Sequence, residues 1–559
     1  MNHLRLLFLA ITLPLLGMAN NIDVKNVRLT GATSTTTQVA FDLSWENSWR
    51  TNNLNGDSVE NWDAAWVFIK YRVGGSGPWL NATLSSAGHA TGSGTSMNID
   101  VPSGEKGAFI YRDNEGLGTF SATNIQLQWN FDGDGVNSTS NVDVKVFAIE
   151  MVYVPQGNFT VGDGTTGDPG GYRESNSPPR NEAVLITGPT VFPGGATGEG
   201  SGSSNELHDA TTNRSATYPN GHNAFYMMKY PITQIQYVDF LNTLTRTQQN
   251  ARVAADISTI STTNKFVMHQ PFSGTPPTPS SPAGAETPQR RNGVLALTPV
   301  DGSAPVEFVC DLNNNGIGNE ETDGLHLACN YLNVSDVSSY LFWSGLRPMT
   351  VMEFEKAARG PGAPVAGEWV WGGNATTGTG SPEYLASNGA LDGSSTEACG
   401  SSCGANQVGK LQDNLGNNSW PQGPIRVGAF AFDGTGSSRI KTGAGYYGGM
   451  HMGDNVHDFC VNLFDSPTDD GGGGRAFNGS HGTGNLSEYD SAFGGWPNPD
   501  ITNSSYRGVS IKGSCFFHGD TRRQISRHQI LDDSNDPNQQ FRANTRRSYF
   551  GGRGVRTAP

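Results

Sequence analysis

Glycine sets the first limit on this chain. Of its 559 residues 73 are glycine and only 16% are charged, and the glycines gather with Ser, Asn and Pro in long tracts such as 163 to 222 and 272 to 305. Every glycine adds backbone freedom that folding must remove, so a chain so rich in it is organised on turns, loops and short strands rather than long helices. The two tracts are too polar and too Gly/Pro-rich to bury, and are expected as surface insertions. At this length one hydrophobic core is seldom enough, so two domains, or one large domain with a smaller partner, are expected.

The first residues, "MNHLRLLFLAITLPLLGMAN", set Arg5 ahead of an apolar run from Leu6 to Leu16 and then Gly17-Met18-Ala19. This is the pattern of a secretory signal peptide spanning residues 1 to 19. The run is too short for a membrane span, and no cysteine follows it to carry a lipid. The expected product is exported to the periplasm, the cell surface or the medium. A net charge of −15 argues against a nucleic-acid partner, since binding phosphate backbones needs concentrated Lys and Arg. Six cysteines in an oxidising compartment suggest disulfides. Proximity suggests Cys310 with Cys329 and Cys399 with Cys403, leaving Cys460 for Cys515, which is one of 15 connectivities six cysteines allow.

Residues 20 to 148 contain "NIDVKNVRLTG", "TQVAFDLSWEN", "AAWVFIKYRVGG", "TNIQLQWNFDGDG" and "VDVKVFAIEMVYV", apolar runs punctuated by Gly, Asn and Asp. That spacing predicts an antiparallel β-sandwich. No cluster of His, Cys and carboxylates marks it as an enzyme; it reads as a spacer or binding module. From 149 to 559 the pattern changes to two short helices among irregular loops. In "PITQIQYVDFLNTL" Thr233 and Gln236 form a capping box, with Tyr237, Phe240, Leu241 and Leu244 on one face. In "LRPMTVMEFEKAARG" Thr350 and Glu353 do the same, Val351, Phe354 and Ala358 share a face, and Gly360 supplies the left-handed stop.

Taken in order, "MVYVPQGNFTVGD", "YPITQIQYVDFLN", "LRPMTVMEFEKAARG", "WVWGGN", "IRVGAFAFDG", "GDNVHDFCVN", "IKGSCFF" and "FGGRGVR" resemble the formylglycine-generating enzyme, or sulfatase-modifying factor, family. The resemblance implies an α+β, irregular domain of the C-type-lectin type behind the all-β sandwich. Catalytic members use two cysteines after the Gly-Ser strand to bind copper and oxidise a sulfatase cysteine, a job for soft thiolate ligands. Aligned on Gly513-Ser514, those positions fall on Phe517 and Arg522, and no cysteine follows Cys515. Copper is therefore not expected, and Cys515 reads as structural, with Cys460 its partner because the family places the two motifs side by side. The iron-dependent sulfoxide synthases of the family carry extra histidines on a helical domain, which the β-rich N-terminal region here lacks.

The resemblance also implies structural calcium at "GDNVHDF", with a side-chain oxygen from Asn455, the carbonyl of Val456 and the carboxylate of Asp458; His457 stands where the family has tryptophan. A looser alignment places a second site near Asn388 and Asn418. Separately, Asp311, Asn313, Asn315 and Gly316 in "CDLNNNGIGNEETDG" reproduce the first half of a calcium loop. Thr322 holds the twelfth position where Glu is required, leaving Glu320, Glu321 or Asp323 to close the shell; a solvated Asn/Asp turn is the alternative. Family members without the oxidase centre serve as binding proteins, some of them variable proteins of diversity-generating retroelements. The segment from His518 to Tyr549 would then be the binding face, with Arg522, Arg523, Arg527, Arg542, Arg546, Arg547 and Tyr549 meeting a surface protein or an acidic or glycan ligand. The leading expectation is an exported non-catalytic ligand-binding protein. The alternatives are a copper-dependent oxidase of sulfatase cysteines and a structural component of a cell-surface assembly.

Overall fold

A computed structural model describes residues 22–164, 183–192, 215–257, 263–269, 272–273, 278–279, 284–298, 303–373, 381–383, 393–394, 397, 407–409, 423–431, 439–463, 476–486, 495–497, 508–516, 520–531 and 544–559. The signal segment, Cys399, Cys403, Asn388, Asn418, Phe517, His518 and Arg542 lie outside the described residues.

The five N-terminal runs form strands Asp23–Thr30, Thr37–Thr51, Asn61–Val73, Gly116–Trp129 and Val142–Val154. Thr37–Thr51 pairs along most of its length with Gly116–Trp129, and Asn61–Val73 pairs with Val142–Val154. These make the two layers of the expected sandwich. Between them lie Val39, Phe41, Leu43 and Trp45 from one layer and Ala65, Val67, Ile69 and Tyr71 from the other.

The run "NWDAAWVFIKY" lacks the apolar/polar alternation of a half-exposed strand because both its faces are covered. Its odd-numbered residues from Ala65 to Tyr71 face the sandwich core. Trp62, Ala64, Trp66 and Phe68 belong instead to the core of the C-terminal unit. Val142–Val154 continues the same wall: its first part pairs within the sandwich, and Met151 to Val154 pair with Phe225–Met228 of the C-terminal unit. The boundary read at 148/149 thus falls inside a 13-residue strand. From there one sheet runs on through Phe225–Met228, Gly554–Thr557, Arg347–Thr350, Asp458–Val461, Val509–Lys512 and His528–Ile530.

Both capping boxes are present. Thr233 and Gln236 start the helix Gln234–Leu241, and Thr350 and Glu353 start Val351–Arg359, which stops at Gly360 with φ 77°. Two further helices, Arg246–Arg252 and Val334–Trp343, begin with the same device at Thr245/Gln248 and Asn333/Asp336. Every residue of Val351–Arg359 is buried, its charged ones included. The polar tracts are not wholly superficial either. Tyr218 and Asn220 are buried, as is the strand Val294–Ala296, which lies between Lys265–Phe266 and Phe308–Cys310. Among the described residues no helix is long and apolar enough to cross a membrane.

Candidate functional site

The segment that decides the chemistry is the strand Val509–Lys512 and the turn after it. The strand lies antiparallel to Asp458–Val461, pairing Asp458 with Lys512 and Cys460 with Ser510, and its other edge pairs with His528–Ile530. Gly513 turns the chain at φ 69°, where a Cβ would come within 2.1 Å of the Met452 carbonyl oxygen, so no side chain fits. Beyond it the Phe516 amide donates to the Asn455 carbonyl, and a 2.8 Å hydrogen bond joins the His457 ring to the Gly513 carbonyl. In place of the family's tryptophan, His457 keeps an aromatic packing role, edge-on to Tyr549 and Phe550, and adds that polar contact.

Similarity to a known family extends along the chain. Residues 137–509 match the description "Sulfatase-modifying factor enzyme 1-like domain". The chain belongs to the sulfatase-modifying factor enzyme 1-like family. The match ends just before Lys512-Gly513-Ser514. Among solved structures the chain is similar to PvdO from Pseudomonas aeruginosa at 13% identity, over 74% of this chain and 95% of that one, with a TM-score of 0.30. No curated protein matches.

Within this family fold the four described cysteines are buried and unbridged. The expected Cys460–Cys515 bridge is not formed: both are free thiols, Cys460 lying opposite Ser510 in the ladder while Cys515 follows the turn at Gly513. Cys310 and Cys329 are not joined either, for the Cys329 sulfur is turned toward Asn292 Nδ2 and the Asn330 carbonyl. Burial pushes the thiols of Cys310, Cys329 and Cys460 up from their ordinary value, which opposes the thiolate a metal or nucleophilic role requires. Cys515 is fully buried and interacts electrostatically with Arg522, whose pKa is lowered chiefly by burial.

Of the side chains assigned to calcium in the "GDNVHDF" loop, Asn455 is held by the protein and Asp458 only through one oxygen. Asn455 accepts from the Ile425 amide and donates to the Ile425 carbonyl, both with its side-chain amide. Asp458 accepts from Arg553 Nε at 2.7 Å, inside the protein, and burial raises its carboxyl to about 6. Val456 is buried against Gly551. Arg553 thus engages Asp458 Oδ2 alone, and Asp458 Oδ1 is buried without a hydrogen-bond partner.

The proposed binding residues divide. Arg523 is 1% exposed and its carbonyl accepts from the Val370 amide. Arg546 grips Asp336 through two 2.8 Å bonds, and Tyr549 is buried against His457 and Phe550. Arg546 is partly buried against Asp336, and Arg523 and Tyr549 belong to the core. Arg522, Arg527 and Arg547 are half-buried at its edge.

Two features escaped the sequence reading. Glu355 accepts from Lys512, Arg359, Ser526 and the Gly162 amide, tying four segments together behind the Gly-Ser strand. Its signal is the run "EFEKAAR", charged residues on a helix whose neighbours are all core-forming. A cavity of about 460 Å3 also lies at the joint of the two units, lined by Phe68, Glu150, Gln236, Asp239, His326 and Trp343 among others. Burial raises Asp239 there to about 6 and lowers His326 to about 4. No local pattern could announce it, because its walls come from both units.

Proposed function

We propose that this protein is an exported member of the family that binds a ligand and does not oxidise sulfatase cysteines. What supports this reading is Cys515: it is fully buried, and it interacts with Arg522, the position where the resemblance puts the family's second cysteine. A copper oxidase needs two thiolates open to oxygen and a peptide. The ligand class is anionic, a sulfated or carboxylated glycan or an acidic surface protein. Arg522, Arg527 and Arg547 supply planar donors at the edge of a rigid sheet, while Arg523, Arg546 and Tyr549 support them from beneath. If the chain is a variable protein, the diversity belongs to half-exposed positions such as Arg522 and Arg527, since the buried ones hold the fold.

The test has two arms. Purified protein is incubated with copper, reductant and a Cys-x-Pro-x-Arg peptide; the peptide thiol is expected to persist as it does with free copper. Aldehyde formation above that background would establish the oxidase and overturn the proposal. The second arm compares binding of a sulfated glycan by the wild type and by Arg522→Ala/Arg527→Ala. Weakened binding by a folded double variant supports the site, and unchanged binding moves it to the cavity between the units.

A further inference from the structure

Within the loop from Asp311 to Asp323, the carboxylates of Asp311, Glu320 and Asp323 carry negative charge without a basic side chain paired to them among the described residues. Asp311 is 1% exposed and Asp323 fully buried. Asp311 accepts from the Asn315 and Gly316 amides at 3.1 Å, and Asp323 Oδ2 accepts from the Glu320 amide at 2.7 Å. Among the described residues no lysine, arginine or histidine pairs with Asp311, Glu320 or Asp323, and Asp323 Oδ1 has no partner at all. Burying two ionised carboxylates side by side without a cation is strongly unfavourable.

Around this pair the loop gathers oxygens in the order a calcium loop uses. Asp311, Asn313 and Asn315 hold the first, third and fifth positions, Gly316 makes the sharp turn at φ 84°, and the Ile317 carbonyl follows. Thr322, at the twelfth position, is occupied by the Asn313 side-chain amide, and the buried carboxylate comes one residue later. The Leu312 amide donates to the Asp323 carbonyl at 3.3 Å, which sets Asp323 beside the start of the loop.

We propose that this loop binds one calcium ion through Asp311, Asn313, Asn315, the Ile317 carbonyl and Asp323. A hard cation with many oxygen ligands suits a site of two carboxylates and neutral carbonyls better than magnesium, which demands a tight octahedron. The ion would pin a structural junction. Asn319 holds both backbone groups of Cys310. Just after the loop, Leu325 and Leu327 accept from Ile235 and Gln234 at the start of a helix, and Leu327 pairs with Arg426.

The test is hydrogen exchange of the full chain, read on the peptide covering 311 to 323, with calcium and after chelation. Calcium is expected to slow exchange in that peptide, and calorimetric titration should show one equivalent whose affinity falls roughly tenfold or more in Asp323→Asn. Because Asp323 is buried, Asn315→Ala, at an exposed position, provides a second variant with the same expected loss. Exchange in that peptide indifferent to millimolar calcium, or unaltered affinity in a folded Asn315→Ala protein, would overturn the site. Reading the peptide itself separates this loop from any calcium bound elsewhere.

Discussion

The N-terminal sandwich and the C-terminal unit share a wall of sheet but solve the problem of backbone polar groups in opposite ways. In the sandwich long strands satisfy one another, so the core between its layers is apolar; its buried charges, Asp63 and Lys70, lie on the strand that faces the C-terminal unit, and several of its ion pairs lie outside. Lys25–Asp23, Arg50–Glu60 and Arg72–Asp143 are all at least partly exposed. In the C-terminal unit the backbone is mostly irregular, and buried charged side chains reach the carbonyls that no strand serves. Arg359 donates to the Thr160 carbonyl, Lys512 to that of Ile525, Lys356 to that of His222 and Arg439 to those of Ala358 and Val370. Carboxylates then balance the imported charge, giving the buried pairs Arg347–Glu353, Arg359–Glu368, Arg553–Asp458 and Lys512–Glu355. A fold short of regular structure thus needs charge inside, because a buried carbonyl without a donor costs as much as a lost hydrogen bond.

Glu355 is where breaking this scheme has the largest effect. Glu355→Gln keeps shape and volume but leaves Lys512 without its carboxylate and Arg359 with only Glu368, both buried. Removing one partner of a buried pair costs about 3–5 kcal/mol. Chemical denaturation of the full chain should show that loss in the transition that unfolds the C-terminal unit. A loss under about 1 kcal/mol would mean that buried charge is incidental to this unit.

What the sequence made legible follows the same division. The sandwich strands could be read because their apolar runs and turn residues are local signals, and so could the capping boxes at Thr233 and Thr350. The C-terminal pairings are tertiary facts. Cys460 and Cys515 looked like partners because their motifs are neighbours, but the ladder sets Cys460 opposite Ser510 and both thiols are free. Arg523, Arg546 and Tyr549 looked like surface because arginine usually is, yet in this unit arginine fills the interior. The helix at Asn333 was missed although Asn333 and Asp336 carry the capping signature, since the run after it, "VSDVSSYLFW", is too apolar throughout to show a face. Phe68 and Trp66 read as strand residues, but that they face a second core depends on a partner hundreds of residues away.

The next effect is smaller and depends on pH. In the C-terminal unit His481 Nε2 accepts from the Thr557 amide at 3.0 Å, and burial, then Arg556 and Arg347, lower its pKa to about 2. The folded value lies below the unfolded one near 6.5. The contribution of His481 is therefore complete above pH 6.5 and is lost as pH falls below it, by up to about 1.4 kcal/mol per pH unit. The sandwich offers a counterpart in His89, which accepts from the Gln128 amide but is bonded through its other nitrogen to the Ser85 carbonyl, a contact that favours the charged ring. Comparing melting temperatures from pH 7.5 down to 5, His481→Gln should flatten the acid loss and His89→Gln should change it less. Equal effects would remove the distinction between the two units at this level.

The smallest effect is expected at Arg72 and serves as the control for Glu355. Arg72 bonds Asp143 through Nε at 3.1 Å and Nη2 at 2.7 Å, a geometry as good as many of the buried pairs. What differs is water. Its side chain is 29% exposed and that of Asp143 43%, so each charge keeps hydration in both the folded and unfolded states and the attraction is screened. Nothing in the backbone depends on the pair either, because the strands beneath it are already joined from Asp63 to Val73. Arg72→Ala should therefore cost between about 0 and 1 kcal/mol, part of it lost packing on Trp79, and that cost should shrink in high salt. A loss approaching that of Glu355→Gln would mean that the contrast between the units lies in how well their charges are paired, and not in whether the backbone around them needs those charges.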